Sequence, residues 1–364
     1  DHVNNRGESA GSYSANLNAL KKELDAGEVG ILLVYGTNPA YQLPSLNLKD
    51  SFAKAGLYVS MADRLDETAS FAKYLAPVTH YLESWGDREA VKGVLSVTQP
   101  TIRPIFNTRS FEDSLIVWAG GKLGNAPSYY EYIKSAYLKK LGTKFNWEDF
   151  LRNGSIFKEA DLTSNKAGRA FKGTIAKLSP KDGKSVTLAL YTTVALGDGT
   201  HANNPTLQEL PDPVTKTTWD NFVGISPAHA DSLGIQSNDV VKVKAGSREL
   251  TKLALIVPGI HNETVSIALG YGREKAGKVG NKVGKNSYEL ANTIDGKIQF
   301  AGINVTLEKT GKVSRIASTQ DHHMMNPTTT PGRAPKTGLY TPYNNDRPLI
   351  QSTSYEDFVK NPDN

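Results

Sequence analysis

The chain has 364 residues, with 42 basic and 37 acidic side chains and a formal charge of +5. That length supports two domains with ample cores, and the basic residues are scattered without a Lys/Arg-rich run, which argues against nucleic-acid binding. No apolar run approaches the roughly 20 residues of a membrane helix, and the absence of cysteine excludes disulfides, thiolate nucleophiles, Cys-type zinc sites and iron–sulfur ligation within these residues.

The opening DHVNNRGESAGS is polar and carries no signal-peptide core. Because it begins at Asp1, the chain is expected to be a mature or excised segment. From residue 15 to 125 helical and strand patterns alternate. Ala15–Ala26 places Leu17, Leu20 and Leu24 at helical spacing, and Gly27 stops the run. Val29–Tyr35 is continuously apolar, the pattern of a strand buried on both faces. Gly36-Thr37-Asn38-Pro39 follows as a loop. The spacing then predicts a helix over Leu46–Ala55, a strand over Leu57–Ala62, a helix over Glu67–Tyr74, an irregular stretch from Tyr81 to Gly86 and a last helix over Ser110–Ala119. Such alternation implies a parallel sheet with helices on its faces.

Residues 126–169 read as a helical connecting arm. Ser128 can cap a helix running through Ile133 and Leu138, and Asn146 can cap one beginning at Trp147. From 170 to 316 the pattern changes to short strands separated by Gly, Asp and Pro turns, among them Val186–Val194, Asp239–Lys244, Lys252–Val257 and Thr264–Ala268, with one short helix near Pro227–Leu233. This is an all-β barrel pattern. Residues 317–364, rich in Thr, Pro, Asn and Asp, lose periodicity and read as an extended tail. The division is therefore 1–125, 126–169, 170–316 and 317–364.

The residues alone assemble no catalytic set. Gly36–Pro39 sits after a strand, where parallel sheets bind ligands, yet such a loop is also an ordinary turn. Asp63-Arg64-Leu65-Asp66-Glu67 is a second polar loop, in which an acidic residue can simply cap a helix. Glu83 and Asp87 are candidates for an acid/base pair, with nothing in the sequence to fix their geometry. None of the seven histidines stands four residues from another, and no H-E-x-x-H run exists. His322-His323-Met324-Met325 is a soft-ligand cluster in the tail. His201 lies in the glycine-rich Gly197-Asp198-Gly199-Thr200 loop, which matches no phosphate-binding or nucleophile-elbow motif.

Taken in order, VYGTNPAYQLP, MADRLDETASFAKYLAP, HYLESWGD, VTQPTIRPIFNTRS and ISPAHADSLGIQSNDVVKV resemble the C-terminal half of molybdopterin oxidoreductase catalytic subunits over residues of about 28–310. The resemblance implies an α/β parallel-sheet domain followed by an all-β double-psi β-barrel that covers a pterin cofactor. On that pattern Asn38, Asp63 and Glu83 would face the cofactor from the sheet. Thr200, His201, Asn286 and the Gly272-Arg273 pair would face it from the barrel.

The chain departs from this pattern. It lacks the N-terminal iron–sulfur region and the molybdenum ligand. Lys73 replaces the family's usual acidic residue, and Asp198 stands where a basic, phosphate-facing residue is common. A carboxylate there repels a pyrophosphate. GDGTHANNPTLQELPDPVTKTTWDN and RPLIQSTSYEDFVKNP resemble, more narrowly, the large iron–sulfur subunit of bacterial alternative complex III. That likeness implies a cofactor-free scaffold in a membrane-bound quinol oxidoreductase, without catalysis by this chain alone. The chain itself would carry no molybdopterin, and iron–sulfur clusters would lie in the adjoining region. The implied partners are that region, heme c subunits and a quinol-binding membrane subunit, on the periplasmic side of the inner membrane. A fragment of a working molybdenum bis-pterin oxidoreductase and a free-standing binding barrel are the alternatives.

Overall fold

Residues 13–91, 93–120, 126–157, 186–294, 297–319 and 354–360 are described by a computed structural model. In chain order the helices are α1 (Tyr13–Ala26), α2 (Pro39–Gln42), α3 (Leu48–Phe52), α4 (Phe111–Trp118), α5 (Tyr129–Leu141), α6 (Trp147–Asn153), α7 (Pro205–Glu209), α8 (Pro227–Leu233) and α9 (Tyr355–Lys360). The strands are β1 (Ile31–Val34), β2 (Leu57–Ser60), β3 (Tyr74–Leu75), β4 (Gly86–Val91), β5 (Val94–Thr98), β6 (Ser155–Phe157), β7 (Val186–Tyr191), β8 (Val223–Ile225), β9 (Asp239–Ala245), β10 (Arg248–Ile256), β11 (Thr264–Ala268), β12 (Asn292–Ile294), β13 (Lys297–Gln299) and β14 (Ile303–Val313). The chain divides into two compact units, and the short segment Tyr41–Leu46 belongs with the second, otherwise later, unit.

The first unit holds a parallel sheet in the order β1-β2-β3. Ile31 pairs with Leu57 and Val59 with Tyr74. α1 is anchored by the fully buried Leu24 and by Asp25, which accepts hydrogen bonds from Lys21 and from the Ser51 hydroxyl of α3. A second, antiparallel sheet β4-β5-β6 lies in the same unit. Its Leu95 joins Ile133 and Tyr137 of α5 and Trp147 and Phe150 of α6 in a mostly aromatic core. Ser128 caps α5 and Asn146 caps α6, as their sequences predict. The expected helical arm thus also contributes a strand, β6, which pairs with β5.

Three local expectations are corrected. β1 is buried on one face only: Leu32 and Val34 point inward, while Ile31 is 64% exposed and Leu33 39%. The helix over Leu46–Ala55 shrinks to α3, because Asn47 adopts a left-handed conformation (φ 44°, ψ 53°) that no helix continues. The helix over Glu67–Tyr74 is replaced by a single 3₁₀ turn at Ala69–Phe71. There the buried Asp66 carboxylate accepts the Ala69 N–H, and Tyr74 pairs with β2 instead. Strand pairing overrides local propensity.

The second unit is a closed barrel in the order β10-β8-β11-β7-β14-β9. β10 runs parallel to β8 and β11 to β7, and the remaining neighbours are antiparallel. β7 and β9 alternate buried and half-exposed residues, the period-two pattern of a half-buried strand. Leu188, Val223, Ile225, Val241, Val243, Val265 and Ile267 fill the interior. α8 occupies the predicted Pro227–Leu233, capped by Ser226 and stopped by the left-handed Gly234. The end of the barrel segment is tied down where Ser318 bridges to Thr217. Within the tail, Tyr355–Lys360 forms the helix α9. The His322–Met325 cluster lies outside the described residues.

Candidate functional site

In the first unit the loops at the carboxyl ends of β1 and β2 are laced together by Asn38. Its amide nitrogen donates to Glu67 Oε2 at 2.7 Å, and its oxygen accepts from the Thr68 hydroxyl at 2.6 Å and the Thr68 N–H at 3.2 Å. Thr68 Oγ1 in turn accepts the Ala40 N–H at 3.0 Å. The donors and acceptors that a ligand would use are engaged in holding two loops.

Asp63 takes no part in this lattice. Its exposed carboxylate pairs with Arg64 at 2.6 Å, and that contact raises the guanidinium pKa still further. Glu83 closes a capping box: Oε2 accepts the His80 N–H at 3.0 Å, and Oε1 accepts the Ile105 N–H at 3.0 Å. Asp87 accepts from the hydroxyls of Tyr129 and Tyr137. Burial, reinforced by the Asp87 hydrogen bond, pushes the Tyr129 hydroxyl far up. Glu83 and Asp87 therefore have separate structural partners, and the acid/base pair is not formed. Asn38, Asp63 and Glu83 do not converge on one set of contacts.

The barrel unit brings its candidates together around Tyr41. The Tyr41 hydroxyl donates to the Tyr271 carbonyl at 2.6 Å, and its ring meets Tyr288 edge-on at 5.3 Å. The buried Arg273 guanidinium lies over the Tyr41 ring at 4.9 Å and donates to the Gly199 carbonyl at 2.7 Å. Asn286 donates to the Tyr41 carbonyl at 3.1 Å and caps the next turn by accepting the Tyr288 N–H at 3.1 Å. Gly199 is left-handed (φ +105°), and a Cβ there would stand 2.9 Å from the Tyr41 ring. Next to it, Asp198 accepts from Gln42 at 2.8 Å and from the Thr200 hydroxyl at 2.6 Å. Thr200 and His201 themselves are exposed on the loop.

This geometry tests the implied pterin cofactor. An anionic, phosphate-bearing group needs convergent donors and close backbone approach. Here Arg273 and Asn286 are turned onto Tyr41 and neighbouring backbone, and a carboxylate occupies the Gly197–Thr200 loop. Gly272 is required by protein backbone, since a Cβ would lie 2.0 Å from the Asn286 nitrogen. The barrel residues do not fit the group. Among the described residues no cluster of three His, Asp or Glu side chains is arranged to hold a metal.

Sequence reasoning missed the residue that organises these loops. Asn221 is fully buried. Its amide nitrogen reaches the Ala268 and Lys285 carbonyls and the Ser287 hydroxyl at 2.9–3.0 Å, and its oxygen accepts the Lys285 N–H at 3.1 Å. The signal for it was an Asn directly ahead of the apolar run Phe222-Val223, where a polar side chain must find partners. Tyr41 was missed because the partners of its hydroxyl and carbonyl, Tyr271 and Asn286, lie 230 and 245 residues away.

Comparison with known proteins now adds relatives. No family model matches the chain. The menaquinone reductase molybdopterin-binding-like subunit of Nitratidesulfovibrio vulgaris is 28% identical over 298 residues, covering 76% of this chain and 41% of that protein. A tetrathionate reductase subunit of Archaeoglobus fulgidus is 39% identical over 54 residues, which is 15% of this chain and 5% of that protein. Among solved structures, acetylene hydratase from Pelobacter acetylenicus superposes with a TM-score of 0.59 at 15% identity, covering 81% of this chain and 46% of that one. The chain thus spans less than half the length of these relatives. It is homologous to a molybdopterin-binding-like subunit of a menaquinone reductase and shares the fold of acetylene hydratase.

Proposed function

We propose that this chain is a cofactor-free scaffold within the iron–sulfur subunit of a membrane-bound quinol oxidoreductase of the alternative complex III type. In this reading it stands on the periplasmic side of the inner membrane and its barrel has double-psi connectivity. Electrons pass through clusters and hemes of neighbouring regions and subunits, and the α/β and barrel units supply surfaces that hold those neighbours. The observation that carries the reading is the engagement of Arg273 and Asn286 by Tyr41, beside the Asp198 carboxylate held by Gln42. Homology to a menaquinone reductase subunit supports a role in quinone-linked electron transfer.

The name of that relative also keeps a second reading in view, in which molybdopterin is bound and the chain is part of a working catalytic subunit. Metal and pterin content of the full-length polypeptide separates the two. Elemental analysis for molybdenum and tungsten, with fluorescence of oxidised pterin, is expected to find neither beside intact iron–sulfur clusters. Stoichiometric metal with pterin would overturn the scaffold reading and make Arg273 and Asn286 the first residues to substitute.

A further inference from the structure

The barrel unit contains a concavity that the scaffold reading does not use. It measures about 240 Å³ and opens between the end of β7 and the loop from Leu210 to Asp220. That is somewhat smaller than the roughly 300–1,000 Å³ of drug-sized ligand sites, so it suits a small molecule or one long side chain. Tyr191, Tyr271 and Phe222 line it with aromatic surface, and the carboxylates of Asp212 and Asp220 open onto it. Val194 stands at the mouth and is 82% exposed.

The polar groups of this cavity are arranged unevenly. Asp212 uses Oδ1 for the Val214 and Thr215 N–H groups and the Thr215 hydroxyl. Asp220 uses Oδ1 for Lys252 and the Asn221 N–H. Among the described residues, the second oxygen of each carboxylate accepts no hydrogen bond, and neither the Tyr191 nor the Tyr271 hydroxyl donates one. Burial, with Asp220 and Asp212 nearby, pushes the Tyr271 hydroxyl up to about 12, and burial raises the Tyr191 hydroxyl as well. Both phenols therefore remain neutral. Lys252, buried on Asp220, offsets one of the two carboxylates, and Lys216 is turned onto the Pro213 carbonyl. One negative charge remains against aromatic walls.

We propose that this cavity binds a small organic cation, an alkylammonium or guanidinium group on an apolar stem. The charge meets Asp212 and the second oxygen of Asp220, and the stem lies against Tyr191, Tyr271 and Phe222. Aromatic faces favour cations, and a partly desolvated carboxylate adds to the attraction. The same chemistry is offered by a free amine and by a lysine or arginine side chain of a partner subunit.

Calorimetric titration of the full-length protein with benzylammonium and with neutral, near-isosteric benzyl alcohol tests the site. The ammonium is expected to bind about tenfold tighter or better, the size of a cation–π contact with one ion pair. Asp212→Asn keeps the oxygen that holds the loop and removes the charge, and is expected to erase that preference. Val194→Trp, at an exposed position, is expected to block the mouth and abolish binding, and it decides the matter should Asp212→Asn fail to fold. Equal binding of the two probes, binding unchanged by either folded variant, or no binding to any form would overturn the proposal. The source is read from the assembled complex. Exclusion of benzylammonium there, with carbodiimide coupling of Asp212 or Asp220 to a partner lysine, assigns a side chain. Uptake equal to that of the isolated protein assigns a free amine.

Discussion

The closed barrel and the open parallel sheet solve the same problem differently. Every strand of the barrel has two neighbours, so no edge is left, and its loops are held by buried polar groups with partners inside the unit, such as Asn221 and Arg273. The β1-β2-β3 sheet buries Leu32, Val34 and Tyr58 on one side; on the other, Val59 of the central strand is buried while Ile31, Leu33 and Tyr74 are accessible. Parallel sheets ordinarily have both faces covered. The barrel's stability is thus expected to rest on its closed ladder and internal side-chain contacts, and that of the sheet chiefly on one face.

The strongest way to break that comparison is at Asn221. Asn221→Ala removes the partner of the Lys285 N–H and of the Lys285 carbonyl and one bond each from the Ala268 carbonyl and the Ser287 hydroxyl, which still bond each other, at about 1–3 kcal/mol for each group left unsatisfied. A total loss of about 3–4 kcal/mol is expected in chemical denaturation, with the barrel failing first. A loss below about 1 kcal/mol would mean that water replaces the side chain and that these loops are not held from within.

A paired substitution sharpens the other half. Leu32→Ala, on the buried face of β1, is expected to cost about 2–3 kcal/mol through lost burial and a cavity. Ile31→Ala, one residue away and 64% exposed, is expected to stay within about 0.5 kcal/mol. Equal costs in the full-length protein would show that the outer face is covered there.

The smallest effect concerns α1. Hydrogen bonds from Lys21 and Ser51 hold the Asp25 carboxyl down to about 2, against an ordinary 3.8. A carboxyl with a lowered folded-state pKa stabilises the fold above its unfolded value and loses that contribution as pH falls through the folded value. The stability difference between the parent and Asp25→Asn is therefore expected to be constant above about pH 4 and to vanish toward pH 2. Denaturation midpoints measured across that range check it. A difference that persists unchanged below pH 2 would assign it to packing.

Elements whose cause is local were legible before folding was considered. Ser128 and Asn146 cap the helices their positions suggest. α8 and β11 occupy the ranges their patterns predict. Where the cause lies elsewhere in the chain, the reading failed. Nothing in Tyr74-Leu75 announces a third parallel strand, because its partner is β2. Nothing between Ser155 and Phe157 announces an antiparallel one, because its partner is β5.

The candidate site divides in the same way. Composition and motif order alone delimited the chemistry: no thiolate, no iron–sulfur ligands, no phosphate loop, and a likeness to molybdopterin oxidoreductases that homology to a menaquinone reductase subunit supports. Side-chain roles were decided only by tertiary structure. A carboxylate or amide acts by whichever donors surround it, and those come from distant segments. Glu83 became a cap, Asp87 an acceptor for two tyrosines, and Arg273 and Asn286 supports for Tyr41, because the groups that satisfy them meet only when the chain is folded.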